Sequence, residues 1–393
     1  MLKLNSLVNR IELKWPPRFV HIIFSLLLLG PSLALAEMQM QTITMKSNAA
    51  KQDIEFDVYL PADYTSRVDS RYPVFLTTAG SSRMAMLTTQ IDWLSHVDFG
   101  PIPKVIVVTL PDIDLGAVAD KYTGASGALD DLTAKVLEQD LLPYVDKHFR
   151  TQPYRLIEGF SSWGNFPLFV FRHYPHLFNA YLVLSPALEL DESGLVDSFQ
   201  SIAANSRFNN KFLYLSFATF NGVDEHFLKI VEALKPLDGK DQTSIITKDI
   251  RHENYIASPV IGLNNGVSKL FSDLIPTPSR FTHSGYAGVQ SYFKQLEAKY
   301  GFEIDSQTAI LDLSFYYVET GEAQKALETM GHIVDLSSDN SLLLVRLAAI
   351  ESQVGRHDKA RATLNRALVL ARNNGNEERT SYIQRQLDSL ERE

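Results

Sequence analysis

One short segment, residues 156–164, constrains the fold of this chain more than any other feature. It reads Leu-Ile-Glu-Gly-Phe-Ser-Ser-Trp-Gly, so an apolar run ends at Gly159 and Ser161 follows two residues later. Another apolar run, 166–171, comes next. The pattern predicts a strand, a tight turn and a helix, with Ser161 on the turn. Such a turn lifts a serine hydroxyl above the sheet and beside free helix N–H groups, so that it can act as a nucleophile next to an oxyanion site.

The residues around this serine leave alternatives open. Ser162 has Gly164 two residues later, but Phe160 stands where a Gly-x-Ser-x-Gly pattern has its first Gly. Ser161 is therefore the better candidate nucleophile. Trp163 occupies the place of the second Gly, which normally packs against the neighbouring strand. We therefore expect either a displaced helix or a turn that has lost its catalytic geometry.

A hydrolase with this kind of turn carries its catalytic residues in the chain order Ser, acid, His. His252 follows the last strand pattern, 244–248, and precedes a closing helix, so it is the predicted general base for Ser161. Asp224 is the first candidate for the acid and Glu225 the second. Both also suit the first turn of a helix, so a structural role or a Ser–His pair without an acid stays open.

The predicted oxyanion site uses two backbone N–H groups. One belongs to Ser162, the residue after the nucleophile. The other comes from the loop after strand 73–78, where Gly80 permits an unusual backbone, and Ser81 is the candidate.

Strand patterns and helix patterns alternate between residues 41 and 274. Apolar strands separated by helices predict an α/β domain whose mostly parallel sheet has helices on both faces. The predicted strands are 54–60, 73–78, 105–110, 154–158, 180–185, 212–217 and 244–248, and the predicted helices are 129–149, 164–174, 224–234 and 259–274.

Beyond a Pro-rich break the chain is predicted to be all helix, with an internal repeat. Gly321 and Gly355 lie 34 residues apart, and Ala326 and Ala360 have the same offset. This is the tetratricopeptide period, in which a Gly ends the first helix and a small Ala lets the second pack closely. An unrelated helical bundle is the alternative.

The N-terminus predicts a secretory signal peptide over residues 1–36. Basic residues precede the apolar stretch 19–29, and an Ala-Leu-Ala cleavage site ends at Ala36. An uncleaved anchor is the alternative, but Gly30, Pro31 and the short core favour cleavage. We therefore expect a periplasmic or secreted protein without stable membrane insertion after cleavage.

Composition excludes several classes of function. The chain has 393 residues, a formal net charge of −9 and no Cys, so it has neither disulfides nor a thiol nucleophile. Its acidity and lack of basic clusters argue against nucleic acid as a partner. No phosphate-loop, dinucleotide or His-Glu-x-x-His motif occurs, and we expect no cofactor and no metal.

These patterns predict four segments. They are a signal peptide, 1–36, an α/β domain, 37–275, a linker, 276–284, and a helical repeat domain, 285–393.

Several sequence blocks outside the serine turn carry a family resemblance. They read Val-Tyr-Leu-Pro-x-x-Tyr at 58–64, Leu-Pro-Tyr-Val at 142–145, Phe-Arg-Thr-x-Pro-Tyr-Arg at 149–155 and Leu-Phe-Asn-Ala-Tyr at 177–181. The chain resembles bacterial esterases of the α/β-hydrolase superfamily related to esterase D and the siderophore (enterobactin-type) esterases. It looks most like the subgroup with C-terminal tetratricopeptide repeats.

The resemblance implies an α/β-hydrolase domain in which Ser161 is the nucleophile and His252 the catalytic histidine. The family turn is commonly Gly-His-Ser-x-Gly-Gly, so Phe160 and Trp163 are departures. The first function hypothesis is cleavage of a small-molecule carboxylic ester through an acyl-enzyme on Ser161. The second is an impaired hydrolase that binds a protein or peptide through its repeats. Transfer of the acyl group to an alcohol other than water is a third.

Overall fold

The structure is a computed structural model that describes residues 38–96, 100–113, 126–190, 194–202, 206–218, 225–336, 341–373 and 377–390. The predicted signal peptide and Asp224 lie outside the described residues. Contacts divide the chain into two compact units between Tyr317 and Val318.

The first unit is built on an eight-stranded sheet of order β1-β2-β4-β3-β5-β6-β7-β8. Strands β3 to β8 run parallel, and β1 and β2 pair antiparallel at one edge. This confirms the predicted mostly parallel α/β sheet. The strands are β1 Gln39–Ser47, β2 Gln52–Leu60, β3 Tyr72–Thr77, β4 Ile106–Thr109, β5 Thr151–Ser161, β6 Ala180–Pro186, β7 Phe212–Phe217 and β8 Ser244–Asp249.

Helices connect the strands of this unit. Strands β3, β6 and β7 are buried along their whole length, as expected of strands covered on both faces. The α-helices are α1 Ser81–Ser95, α2 Ser126–Val136, α3 Leu142–His148, α4 Asn165–His173, α5 Leu195–Gln200, α6 Glu225–Leu234 and α7 Ser258–Leu270. A π-helical turn, Leu137–Leu141, joins α2 to α3 within the single helix predicted at 129–149.

Helix α7 packs unusually closely on the sheet. A Cβ at Gly262 would lie 2.8 Å from the Leu184 side chain, and one at Gly266 would lie 2.9 Å from the Leu182 side chain. A larger residue at either position would require the leucine side chains of β6 or the helix itself to shift. The close packing of α7 on the sheet also positions the 3₁₀ turn directly before it, Tyr255–Ala257, which contributes to the candidate site.

A further helix, α8 Gly285–Tyr300, packs on the first unit, although the sequence pattern places it in the helical repeat domain. The Tyr300 hydroxyl donates to the Leu270 carbonyl at 3.0 Å, and its ring lies 5.0 Å from that of Tyr154. Lys299 forms an ion pair of 2.6 Å with Asp273.

The remaining helices are α9 Gln307–Glu319, which spans the division, and four helices of the second unit. These are α10 Ala323–Leu336, α11 Ser341–Gln353, α12 His357–Asn373 and α13 Glu377–Leu390. Gly321 and Gly355 both adopt positive φ, 79° and 77°, where they end a helix. Ala326 and Ala360 are both fully buried. The two halves of the internal repeat therefore share local structure, while the tetratricopeptide assignment stays a prediction.

Among the described residues, no helix has the length and apolarity needed to cross a bilayer.

Candidate active site

Ser161 ends strand β5 in a strained backbone conformation. Its φ is 61° and its ψ is −135°, a region that residues other than Gly rarely enter. A single 3₁₀ turn, Ser162–Gly164, follows and leads into α4. The strand, sharp turn and helix expected around Ser161 are thus present. Strain at a single turn residue is typical of a functional position, because surrounding packing must hold it.

Two glycines make this turn possible. A Cβ at Gly159 would lie 2.4 Å from the carbonyl oxygen of Trp163. Gly164 lies against the neighbouring strand, where a Cβ would be 3.1 Å from the Pro186 Cα. Gly164 therefore makes the close approach that the sequence pattern assigned to residue 163. Trp163 is 56% exposed and does not enter that contact. The 3₁₀ turn Ser162–Gly164 therefore accommodates one residue more between Ser161 and the close-packed glycine than the Gly-x-Ser-x-Gly pattern has.

The Ser161 hydroxyl is engaged by a residue that the sequence did not single out. The Tyr255 hydroxyl donates a hydrogen bond of 2.8 Å to Ser161 Oγ. Tyr255 begins a 3₁₀ turn, Tyr255–Ala257, directly before α7. Its ring packs on Phe160, with centroids 5.2 Å apart and planes tilted by 42°.

The turn that carries Tyr255 is anchored at both ends. The Asn254 side chain accepts a hydrogen bond of 2.9 Å from the Ile256 N–H and so caps the turn. The fully buried Ser258 hydroxyl accepts from the Ser185 hydroxyl at 3.1 Å, at the end of β6. The phenol is therefore held over Ser161 by the chain on either side of it.

The structure does not bring His252 to Ser161. The His252 side chain is 73% exposed, and its Nε2 lies 3.3 Å from a Glu253 carboxylate oxygen. Asp249 ends strand β8 and lies three residues before His252 in the sequence. Its pKa is lowered, chiefly by the hydrogen bonds from Arg251, with a smaller contribution from the charge on His252.

Of the two candidates for the catalytic acid, only Glu225 lies within the described residues. Asp224 falls outside the described residues, so its position relative to His252 is not defined. Glu225 is the first residue of α6 and is exposed, as expected for a carboxylate that stabilises a helix N-terminus.

The candidate oxyanion donors lie at the ends of neighbouring strands. Ser162 opens the 3₁₀ turn and Ser81 is the first residue of α1, so neither N–H has a partner within its own helix. Strand β3 pairs with β5 in a register that sets Thr77 beside Glu158, so the residues after both strands reach the same sheet edge. Gly80 has φ −74° and ψ 171°, an ordinary extended backbone rather than the unusual one expected.

A buried ion pair that the sequence analysis missed lies beneath this edge. Glu158 is fully buried, and its two oxygens accept hydrogen bonds of 2.8 and 2.9 Å from the Arg83 guanidinium. The Thr77 hydroxyl donates to the same carboxylate at 2.8 Å. The guanidinium also lies 5.7 Å from the Phe160 ring centroid. Arg83 thus links helix α1 to the strand and to the aromatic residue next to the serine.

Metal ligation has no candidate in the described ranges, where no group of three or more His, Asp or Glu side chains comes together.

Comparisons with known proteins agree with this architecture. Residues 47–233 match the model of the family described as "Putative esterase". Among solved structures, an IroE-like serine hydrolase from Shewanella oneidensis is 20% identical, with a TM-score of 0.57 over 75% of this chain and 98% of that chain. An uncharacterised protein from Capnocytophaga ochracea is 14% identical, with a TM-score of 0.58 over 90% of this chain and 100% of that chain. No curated protein matches the sequence. At these identities the structural likeness shows the fold.

Proposed function

We propose that this chain, whose residues 47–233 match the model of that esterase family, is an exported serine hydrolase that cleaves carboxylic esters. The observation that carries the proposal is the conformation of Ser161, which is strained at φ 61° on a turn between β5 and α4. A nucleophile needs a hydroxyl presented by such a turn at the edge of the sheet, so a serine at this position supports a catalytic role.

The reaction begins with attack of Ser161 Oγ on the ester carbonyl carbon. The hydroxyl proton passes to His252, which then gives it to the departing alkoxide, leaving an acyl group on Ser161. A water molecule then attacks the acyl carbon and gives one proton to the same histidine, which passes that proton to Ser161 Oγ as the carboxylic acid is released. His252 follows β8, whose end meets the sheet edge that carries Ser161. In this scheme the imidazole turns from solvent toward Ser161 in the reactive state, and Asp224 is its acid partner.

The negative charge of the tetrahedral intermediate is stabilised by the N–H groups of Ser162 and Ser81. Both belong to the first turn of a helical segment, where unpaired N–H groups and the helix dipole favour an anion. The Thr78 hydroxyl donates to the Trp163 carbonyl at 3.3 Å, which supports a fixed distance between the loop after β3 and the serine turn.

The expected signal peptide supports export to the periplasm or beyond, and the substrate is a small-molecule ester. No cofactor takes part in this chemistry. The helical repeats offer a surface for a protein or peptide partner.

An activated Ser161 is expected to react with a fluorophosphonate probe. We expect mass spectrometry of the labelled, folded mature protein to place the phosphonate on Ser161. The label should disappear in Ser161→Ala and persist in Ser162→Ala, which is the matched control one residue away. A label on Ser162 instead, or equal labelling of Ser161→Ala, contradicts the assignment of the nucleophile.

Replacing His252 by Ala should slow both labelling and ester turnover by about 100-fold or more, because general-base assistance typically contributes that much. His283→Ala is the control, since that histidine is also exposed and follows the α/β sheet. Rates of His252→Ala equal to those of the control would remove His252 from the mechanism.

A second function has one observation in its favour. The Ser161 hydroxyl already accepts from Tyr255, while His252 faces solvent. An impaired hydrolase that acts as a binding or scaffold protein through its repeats would have this arrangement permanently. Complete lack of labelling of the folded wild type would favour the scaffold function over the esterase.

A further inference from the structure

The contact of 2.8 Å between Tyr255 and Ser161 joins two hydroxyls, and the phenol can donate its proton to the serine oxygen. A general base would have to accept the serine proton, whereas a phenol hydroxyl has a proton of its own to donate. Tyr255 is therefore placed to stabilise negative charge near Ser161 Oγ rather than to remove the proton from it.

The position of the donor fits the charge that develops in ester cleavage. When Ser161 Oγ bonds to the carbonyl carbon, the oxyanion is attached to that same carbon. A hydroxyl that lies 2.8 Å from Oγ before reaction needs only a small reorientation to reach the neighbouring oxygen. Donors aimed at the place where charge develops stabilise the transition state most when they are fixed beforehand.

The surroundings of Tyr255 provide this fixation. Its ring packs on Phe160, and the Arg83 guanidinium lies on Phe160 in turn. Arg83 is held by two hydrogen bonds to the buried Glu158. Phe160, one of the two residues that depart from the family turn, therefore packs against both Tyr255 and Arg83 in this chain. The departure at Phe160 and the phenol beside Ser161 are thus in direct contact.

We propose that the Tyr255 phenol is a catalytic residue that donates a hydrogen bond to the oxyanion formed at Ser161, in addition to the backbone N–H groups. The inference rests on the proposed ester hydrolysis at Ser161. The phenol keeps its proton throughout, so the balance of the reaction is unchanged. Its contribution is to strengthen one hydrogen bond as the carbonyl oxygen becomes negative.

The test compares the mature wild type with Tyr255→Phe, which retains the ring and its packing on Phe160 and removes only the hydroxyl. Loss of one oxyanion donor should lower kcat for p-nitrophenyl acetate about 100-fold with little change in KM. Labelling of Ser161 by a fluorophosphonate should slow by a similar factor, because phosphonylation passes through a similar charged state. Tyr59→Phe on β2 is the matched control and should change neither rate.

An alkyl ester such as ethyl butyrate distinguishes this role from proton donation. The p-nitrophenolate group leaves without a proton, whereas ethoxide needs one. Losses on both esters are expected; a loss confined to ethyl butyrate would make Tyr255 a donor to the leaving group and overturn the inference. Unchanged or faster labelling of Tyr255→Phe would also overturn it, since the phenol would then be inert or a shield. Wild type that takes no label on Ser161 overturns the proposed function itself, and this inference with it.

Discussion

Replacing Arg83 by Met should lower the free energy of unfolding by about 3–5 kcal/mol, because it leaves the Glu158 carboxylate charged and without its counter-ion in the interior. Glu158 is fully buried and Arg83 is 14% exposed, so water replaces little of the lost interaction. The Thr77 hydroxyl would remain as a donor to the carboxylate but cannot neutralise it. Chemical denaturation followed by circular dichroism measures the change.

Arg67→Met is the control, since it makes the same replacement in a solvent-exposed pair. Arg67 is 63% exposed and contacts Asp63 at 2.9 Å, so its loss should cost less than about 1 kcal/mol. The double variant Arg83→Met/Glu158→Gln removes both buried charges and should be more stable than Arg83→Met alone. Equal effects of Arg83→Met and Arg67→Met, or no recovery in the double variant, would show that the buried pair is not what stabilises this region.

Most of the first unit is predictable from sequence because its strands are buried on both faces. The sequence predicts strand β7 at the observed residues, 212–217, since a continuous apolar run of that length has few other structures available. Strand β1, Gln39–Ser47, escapes prediction because it is a largely exposed edge strand and its polar residues give no buried face to detect. Helix α1, Ser81–Ser95, escapes it because its apolar residues fall on several faces; Trp93, for example, is 58% exposed.

The candidate site is less accessible to sequence reasoning than the fold. Ser161 can be found because a turn between strand and helix imposes local requirements, chiefly Gly159 beside it. Tyr255 lies 94 residues further along the chain, and a tyrosine before a helix carries no motif. Its contact with Ser161 depends on how closely α7 packs on the sheet, which is a tertiary property. Arg83 is missed for a similar reason, since its partner Glu158 lies on a different element, strand β5.

Replacing Gly159 by Ala should destroy the serine turn. The added Cβ would lie 2.4 Å from the Trp163 carbonyl oxygen, 2.8 Å from Thr78 Oγ1 and 2.9 Å from Pro167 Cγ. The closest of these atoms belongs to the backbone, so no side-chain rotation can relieve the clash. We expect a loss of about 3 kcal/mol or more in the free energy of unfolding. Labelling of Ser161 by a fluorophosphonate should also be lost in whatever fraction folds, because the serine can no longer occupy its strained position.

Gly331→Ala makes the same chemical change where there is room for it. Gly331 lies within α10, and a Cβ added there would have no atom within 4 Å outside its own helical surroundings. Alanine favours a helix interior over glycine by about 1 kcal/mol, so this control should be slightly more stable than the wild type. The two variants thus differ in the sign of the effect, which a single thermal or chemical denaturation series resolves. A Gly159→Ala protein that unfolds like the wild type and labels normally would mean that the turn reaches its geometry without the contact between residues 159 and 163.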